Sequence, residues 1–134
     1  MFATFPYISV VFAAILGLLA AALTANVIVN RVRTKVTAGD GGDARLAQSI
    51  RAHGNFIEQA PLAVLLLIAA EMMGMRAPIV IALGALLLVS RLASAVALNG
   101  SLGLTTLRQV GGGTAVIAMA AISIAVLLAL AGVR

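Results

Sequence analysis

The sequence predicts an all-α membrane protein, a bundle of four transmembrane helices, and three observations predict it. Of the 134 residues, 63% are hydrophobic and 10% charged. A soluble domain of this length could not hide that much apolar surface, whereas lipid solvates it. The apolar residues fall in four runs, each near the roughly 20 residues a helix needs to span the hydrocarbon. They run continuously, without the alternation of a β-barrel strand. Only short polar segments separate the runs, so residues 1–134 read as a single domain.

The helices are expected at about 7–30, 44–74, 78–98 and 109–133. The first run, Tyr7 to Asn30, is uncharged. A cleaved signal peptide would have a shorter apolar core and a basic leader, and Met1 to Pro6 supplies none, so a retained span is expected. Arg31, Arg33 and Lys35 close it, and Thr37 to Asp43 is rich in residues that tolerate turns. Asp43 is placed to cap the second helix through its side-chain oxygen. That helix, at about 30 residues, should be some 45 Å long and begin before the membrane. Pro61 lies inside it and cannot donate a backbone bond, which predicts a kink. Gly74 to Pro78 reads as a turn, and Asn99 to Thr106 as a second polar loop before a span that opens on Gly111, Gly112 and Gly113.

Charge gives the orientation. Arg31, Arg33, Lys35, Arg45 and Arg51 sit in or near the first loop and Arg108 follows the third, while the other side has Arg76 and Arg134. The positive-inside rule puts the arginine-rich loops in the cytoplasm and both termini on the opposite side. The net charge of +5 lacks the dense basic clustering and interleaved aromatics of a nucleic-acid binder, so no nucleic acid is expected. With no cysteine and a single histidine, His53, no metal site is expected either.

Chemistry concentrates in a few charged residues near the cytoplasmic ends of the helices. At about 100° per residue, Leu46, Ile50, His53 and Ile57 share one face of the second helix, and Arg51, Asn55 and Glu58 share another. That polar stripe enters the membrane, where a charge such as Glu58 usually faces a partner or a watery cavity; the plain alternative is the solvated face of a protruding helix. Arg91 is embedded in the third span at a depth like that of Glu58, which suggests a Glu58–Arg91 pair, against a lipid-side arginine that snorkels. Arg108 stands at the start of the last helix, either as a cytoplasmic anchor or joining free backbone N–H groups to hold an anion. His53 reads as an interfacial or packing residue, and Glu71 and Arg76 as ordinary residues at the outer edge. A small acidic ligand fits this excess of arginine, with a lipophilic partner entering from the bilayer.

The order of motifs carries a resemblance. Arg31-Val-Arg33, then Gly39-Asp40-Gly41-Gly42-Asp43, then Arg51-Ala-His-Gly-Asn55-Phe-Ile-Glu58 resembles the MAPEG family, the membrane-associated proteins of eicosanoid and glutathione metabolism, in its bacterial branch. The resemblance implies a four-helix bundle assembled as a homotrimer in the inner membrane, with glutathione as co-substrate bound between subunits near the cytoplasmic side. It implies a membrane-bound glutathione transferase, with possible peroxidase activity, that activates the thiol for attack on a lipophilic electrophile or lipid hydroperoxide. By position, Arg31, Arg51, Asn55, Glu58 and Arg91 match glutathione-binding residues, and Arg108 is similar to the arginine that stabilises the thiolate. Gly54, Ser94, Leu98 and a glycine near Gly112 replace basic, polar or aromatic residues of other members, so eicosanoid specificity is not implied. A branch of the family binds lipid and partners without turnover, which makes a non-catalytic membrane binding or scaffold protein the second reading. A transporter or channel is disfavoured because the embedded charges lie near one side and form no path across.

Overall fold

In the computed structural model, residues 5–100 and 106–132 are described, the side chains of 99–100 and 106–111 excepted. Four helices account for almost all of them: α1 Tyr7–Thr34, α2 Ala44–Met72, α3 Ala77–Gly100 and α4 Thr106–Leu130. All four are long and apolar enough to cross a membrane. Short connections make successive helices antiparallel. Helices α2 and α3 pack on each other and on both α1 and α4, while α1 and α4 make no contact. The cross-section is therefore a rhombus with α2 and α3 on its short diagonal.

The helix ends differ from expectation for local reasons. α1 continues four residues beyond the apolar run, because hydropathy falls at Arg31 but helix propensity does not. It stops at Lys35, which takes the left-handed conformation at φ 57°. The loop then turns on Gly39, Gly41 and Gly42 at φ 65°, 59° and 79°, so the Gly-Asp-Gly-Gly motif is a folding requirement of the turn. Asp43 caps α2 as expected, accepting from Leu46 N at 2.8 Å. It also accepts from Arg33 Nη2 at 2.7 Å, which ties the end of α1 to the start of α2. The Arg33 guanidinium and the Leu46 N–H hold the Asp43 carboxyl below the usual carboxylate range. A lowered pKa means that this tie is fully present above that range and is lost as pH falls through the lowered value.

The buried face of α2 intersperses small residues among a few large apolar ones. Leu46, Ser49, Ala52, Phe56, Ala60, Ala63, Leu67 and Ala70 are buried, at spacings of three and four, whereas Ile57 and Leu65 face outward. Lipid is as apolar as leucine, so hiding a large side chain from it gains little; close backbone approach gains more, and small residues allow it. α3 follows the same rule. A Cβ on Gly84 would collide with the Phe12 ring of α1, so this glycine sets the distance between the two helices. Gly84→Val should lower stability in detergent by about 1–3 kcal/mol through overpacking, and Phe12→Ala in the same chain should recover part of it. Thermal unfolding of the pair checks this, and an unchanged midpoint in Gly84→Val would show that α1 and α3 part without cost.

At the far end of the bundle, Glu71 of α2 caps the start of α1. Pro6 offers no capping side chain, and the Glu71 carboxylate of α2 accepts instead from Ile8 N at 3.0 Å, Ser9 N at 2.7 Å and the Ser9 hydroxyl. A carboxylate on the first free N–H groups of a helix satisfies donors and favours the helix dipole. Glu71 is thus a tertiary cap rather than an ordinary edge residue.

Candidate functional site

Arg91 is the largest fully buried side chain, at 1% exposure, and α3 carries it into the seam against α2. Its Nη1 reaches the Asn55 side-chain oxygen at 3.4 Å and the Asn55 carbonyl at 3.5 Å, and its Nε reaches the Ser90 hydroxyl at 3.4 Å. These bonds are long, and Nη2 has no partner among the described residues. The expected Glu58–Arg91 pair does not form. Glu58 lies instead 3.7 Å from Arg51, two turns back on its own helix, with both side chains more than half exposed. Similar depth did not bring Glu58 and Arg91 together because α2 turns Asn55 toward Arg91 of α3 and leaves Glu58 on its exposed side. An exposed ion pair at that distance holds its partners loosely, so both remain available to a ligand.

Two clefts meet at Arg51. The inner one, about 90 Å³, lies among α2, α3 and α4 and is lined by Arg51, Asn55, Ser94, Leu98 and Gly112. The outer one, about 370 Å³, runs along the flank of α2 under the first loop, from Gly39 and Asp40 past Ala47, Ile50 and Gly54 to Glu58. Arg51 lines both. Counting some 20 residues back from Met72 puts the edge of the hydrocarbon on the first-loop side near His53. Arg51 then stands at the interface, while Asn55 and Glu58 are inside it. A carboxylate at that depth on an outward face is costly in lipid unless something polar covers it.

The MAPEG family model matches residues 9–128, which takes in all but the two ends of the bundle. This chain belongs to the MAPEG family. Among its relatives, the inner membrane protein YecN of Escherichia coli K12 is 35% identical over 85 residues, covering 63% of this chain. The YecN of Escherichia coli O6:H1 matches to the same extent. The match spans 65% of the relatives' own length. No solved structure matches the chain. Four spans and an inner-membrane relative support an integral inner-membrane location for this MAPEG protein.

Within this MAPEG chain, the residues singled out in the sequence fall into three groups. Arg51, Asn55 and Glu58 line the clefts, and Arg91 backs Asn55 from α3. Arg31 does not line either cleft: its Nη1 bonds the Val36 carbonyl at 3.3 Å and the Gly39 carbonyl at 3.1 Å. It holds the loop that roofs the outer cleft, since Gly39 is part of that lining. Arg108 lies in the first turn of α4, four residues before Gly112 of the inner cleft, and its side chain is outside the described residues. Sequence reasoning treated Ser94 and Leu98 only as departures from other MAPEG members, yet both line the inner cleft. Their signal was present: Ser94 follows Arg91 by three residues and Leu98 follows by seven, so all three share one face of α3.

Proposed function

We propose that this MAPEG protein is a membrane-bound glutathione transferase, with peroxidase activity on lipid hydroperoxides as a secondary chemistry. The observation that carries the reading is the pair of clefts joined at Arg51, with a weakly held Arg51–Glu58 pair on the outer one and a buried, under-partnered guanidinium behind the inner one. A γ-glutamyl group has a carboxylate and an ammonium, which Arg51 and Glu58 complement in charge. The inner cleft is too small for a tripeptide and admits one end of it. Arg108, at the mouth of α4, would add positive charge where a thiolate forms.

The mechanism is electrostatic. The bound thiol loses its proton to water through the open cleft, and the thiolate is held by fixed positive charge. Lowering a thiol pKa of about 8.5 by one to two units takes about 1.4–2.8 kcal/mol of preferential thiolate stabilisation. One guanidinium in a partly dry site is of that size. The sulfur then attacks an electrophilic carbon; a C–S bond forms, and the leaving group departs with its electron pair. On a hydroperoxide the thiolate attacks the O–O bond and releases an alkoxide that takes up a proton. A second glutathione reduces the resulting sulfenic acid to the disulfide and water. The lipophilic substrate reaches the sulfur along the apolar outer faces of the helices.

The charged pair on an outward face at membrane depth favours a neighbouring subunit as its cover, in line with a homotrimer whose site is shared. The same reading places the arginine-rich loops in the cytoplasm, where glutathione is available. Equilibrium binding of reduced glutathione to the detergent-purified protein, paired with native mass spectrometry, tests it. Saturable binding by a species of threefold mass is expected. A stable monomer that binds glutathione contradicts the shared site, and absence of binding contradicts the glutathione reading. Binding without conjugation of any lipophilic electrophile supports the non-catalytic binding protein instead.

A further inference from the structure

Among the described helical residues, other buried or half-buried serine hydroxyls have partners, Ser9 across to Leu67 and Glu71 of α2 and Ser49, Ser90 and Ser123 on their own helix, whereas Ser94 has none. Ser49 donates to the Leu46 carbonyl at 2.8 Å, Ser90 to Leu87 at 2.7 Å and Ser123 to Met119 at 2.8 Å. Each thereby satisfies itself on its own helix, three or four residues back. Ser94 is 6% exposed and lies one turn beyond Ser90 on α3, yet its Oγ has no partner. Among the described residues the other buried side-chain polar atom in that condition is Arg91 Nη2, three residues earlier on the same face. Two orphan donors in one place are costly in an empty protein. Ser94 forms part of the wall of the inner cleft, and Arg91, which does not line it, bonds Asn55, another part of that wall.

The lining also limits what the guest can be. Among the described lining residues, Arg51, Asn55 and Ser94 can donate, Leu98 and Gly112 are apolar, and none is a carboxylate. The volume of about 90 Å³ admits a small end group. A carboxylate would keep more of its hydration in the outer cleft, beside the half-exposed Arg51. A sulfur tolerates one apolar wall and needs few donors. On the strength of the glutathione reading above, we propose that Ser94 donates its hydroxyl hydrogen bond to the ligand's sulfur in the inner cleft, with Arg91 supplying positive charge behind it. Ser94 is then a positioning and specificity residue for the thiol end, and the outer cleft holds the peptide ends.

The experiment uses the full-length protein in detergent with two probes, reduced glutathione and S-methylglutathione, which has no thiol to ionise. The readouts are binding affinity, the ultraviolet absorbance of bound thiolate against pH, and the melting temperature without ligand. In Ser94→Ala the thiolate midpoint should rise by about one unit, a tenfold smaller thiolate fraction at a fixed pH below the midpoint, as expected for a hydrogen bond to a charged group. Affinity for S-methylglutathione should change by less than about twofold, since the peptide contacts of Arg51 and Glu58 remain. The ligand-free melting temperature should stay level or rise, because an unsatisfied hydroxyl has been removed; this also reports that the variant folds. Ser94→Thr, which keeps the hydroxyl, should retain the wild-type midpoint. A wild-type midpoint in Ser94→Ala overturns the assignment, and so does an equal loss for both probes, which would place Ser94 on the peptide. If the wild-type protein binds neither probe, the glutathione reading falls and Ser94 falls with it. If the wild-type protein binds both and shifts the thiol while Ser94→Ala shifts it equally, only the Ser94 assignment fails.

Discussion

Replacing Arg91 by methionine should make the ligand-free bundle harder to unfold in detergent while weakening glutathione binding by about tenfold or more, the loss of a hydrogen-bonded charge. The two effects share one cause. Arg91 is almost fully buried, its bonds to Asn55 and Ser90 are 3.4–3.5 Å long, and Nη2 is unpartnered. A guanidinium in that state raises the energy of the empty protein, and an apolar side chain of similar length removes that cost at little loss of volume. Exchanging poorly satisfied buried charge for packing is commonly neutral or stabilising by about 1–4 kcal/mol. Such a residue in a membrane helix marks function more readily than stability. Melting curves with and without glutathione separate the possibilities. If Arg91→Met melts lower than wild type and binds glutathione unchanged, Arg91 holds α2 to α3 and does nothing for the ligand.

Arg108→Ala should leave glutathione binding close to wild type and lower turnover by about thirtyfold, the equivalent of roughly 2 kcal/mol at the barrier. Arg108 lies in the first turn of α4, one turn before Gly112 of the inner cleft, whereas in the proposed site binding would rest on Arg51, Asn55 and Glu58 around both clefts. Arg108→Lys should restore activity only in part, because an ammonium is a point charge without the planar fork of a guanidinium. Arg51→Ala gives the opposite pattern: more glutathione is needed for saturation, and the saturated rate changes little. Steady-state kinetics on the two variants, with glutathione varied against a fixed lipophilic electrophile, provides the check. Unchanged turnover in Arg108→Ala makes this arginine a cytoplasmic anchor.

The four spans were legible in the sequence because crossing lipid requires long apolar runs, and nothing in the packing can override that. The cap at Asp43 was legible too, since its chemistry is local to the first turn of α2. What sequence reading missed depends on azimuth and on distant contacts. The sequence grouped Leu46, Ile50, His53 and Ile57 on one face of α2 without saying which face is inward; the buried face runs through Leu46, Ser49, Ala52, Phe56, Ala60 and Ala63. Depth alone suggested Glu58 for Arg91, but α2 turns Asn55 toward α3 and Glu58 away from it. The polar stripe itself was visible as Arg51, Asn55 and Glu58, while the contribution of Ser94 required knowing that its hydroxyl, unlike that of Ser90, does not fold back on its helix. Glu71 was read as an edge residue because the helix it caps begins more than sixty residues earlier in the chain.

In the proposed site, the clefts at Arg51 bind glutathione and hold its sulfur as a thiolate. The direct measurement is the ultraviolet absorbance of thiolate in the wild-type protein saturated with reduced glutathione, titrated against pH beside free glutathione. A midpoint about one to two units below that of the free thiol, near 8.5 for an ordinary cysteine thiol, is expected. A bound thiol that titrates where free glutathione does would contradict it, leaving a MAPEG protein that binds the tripeptide without activating it.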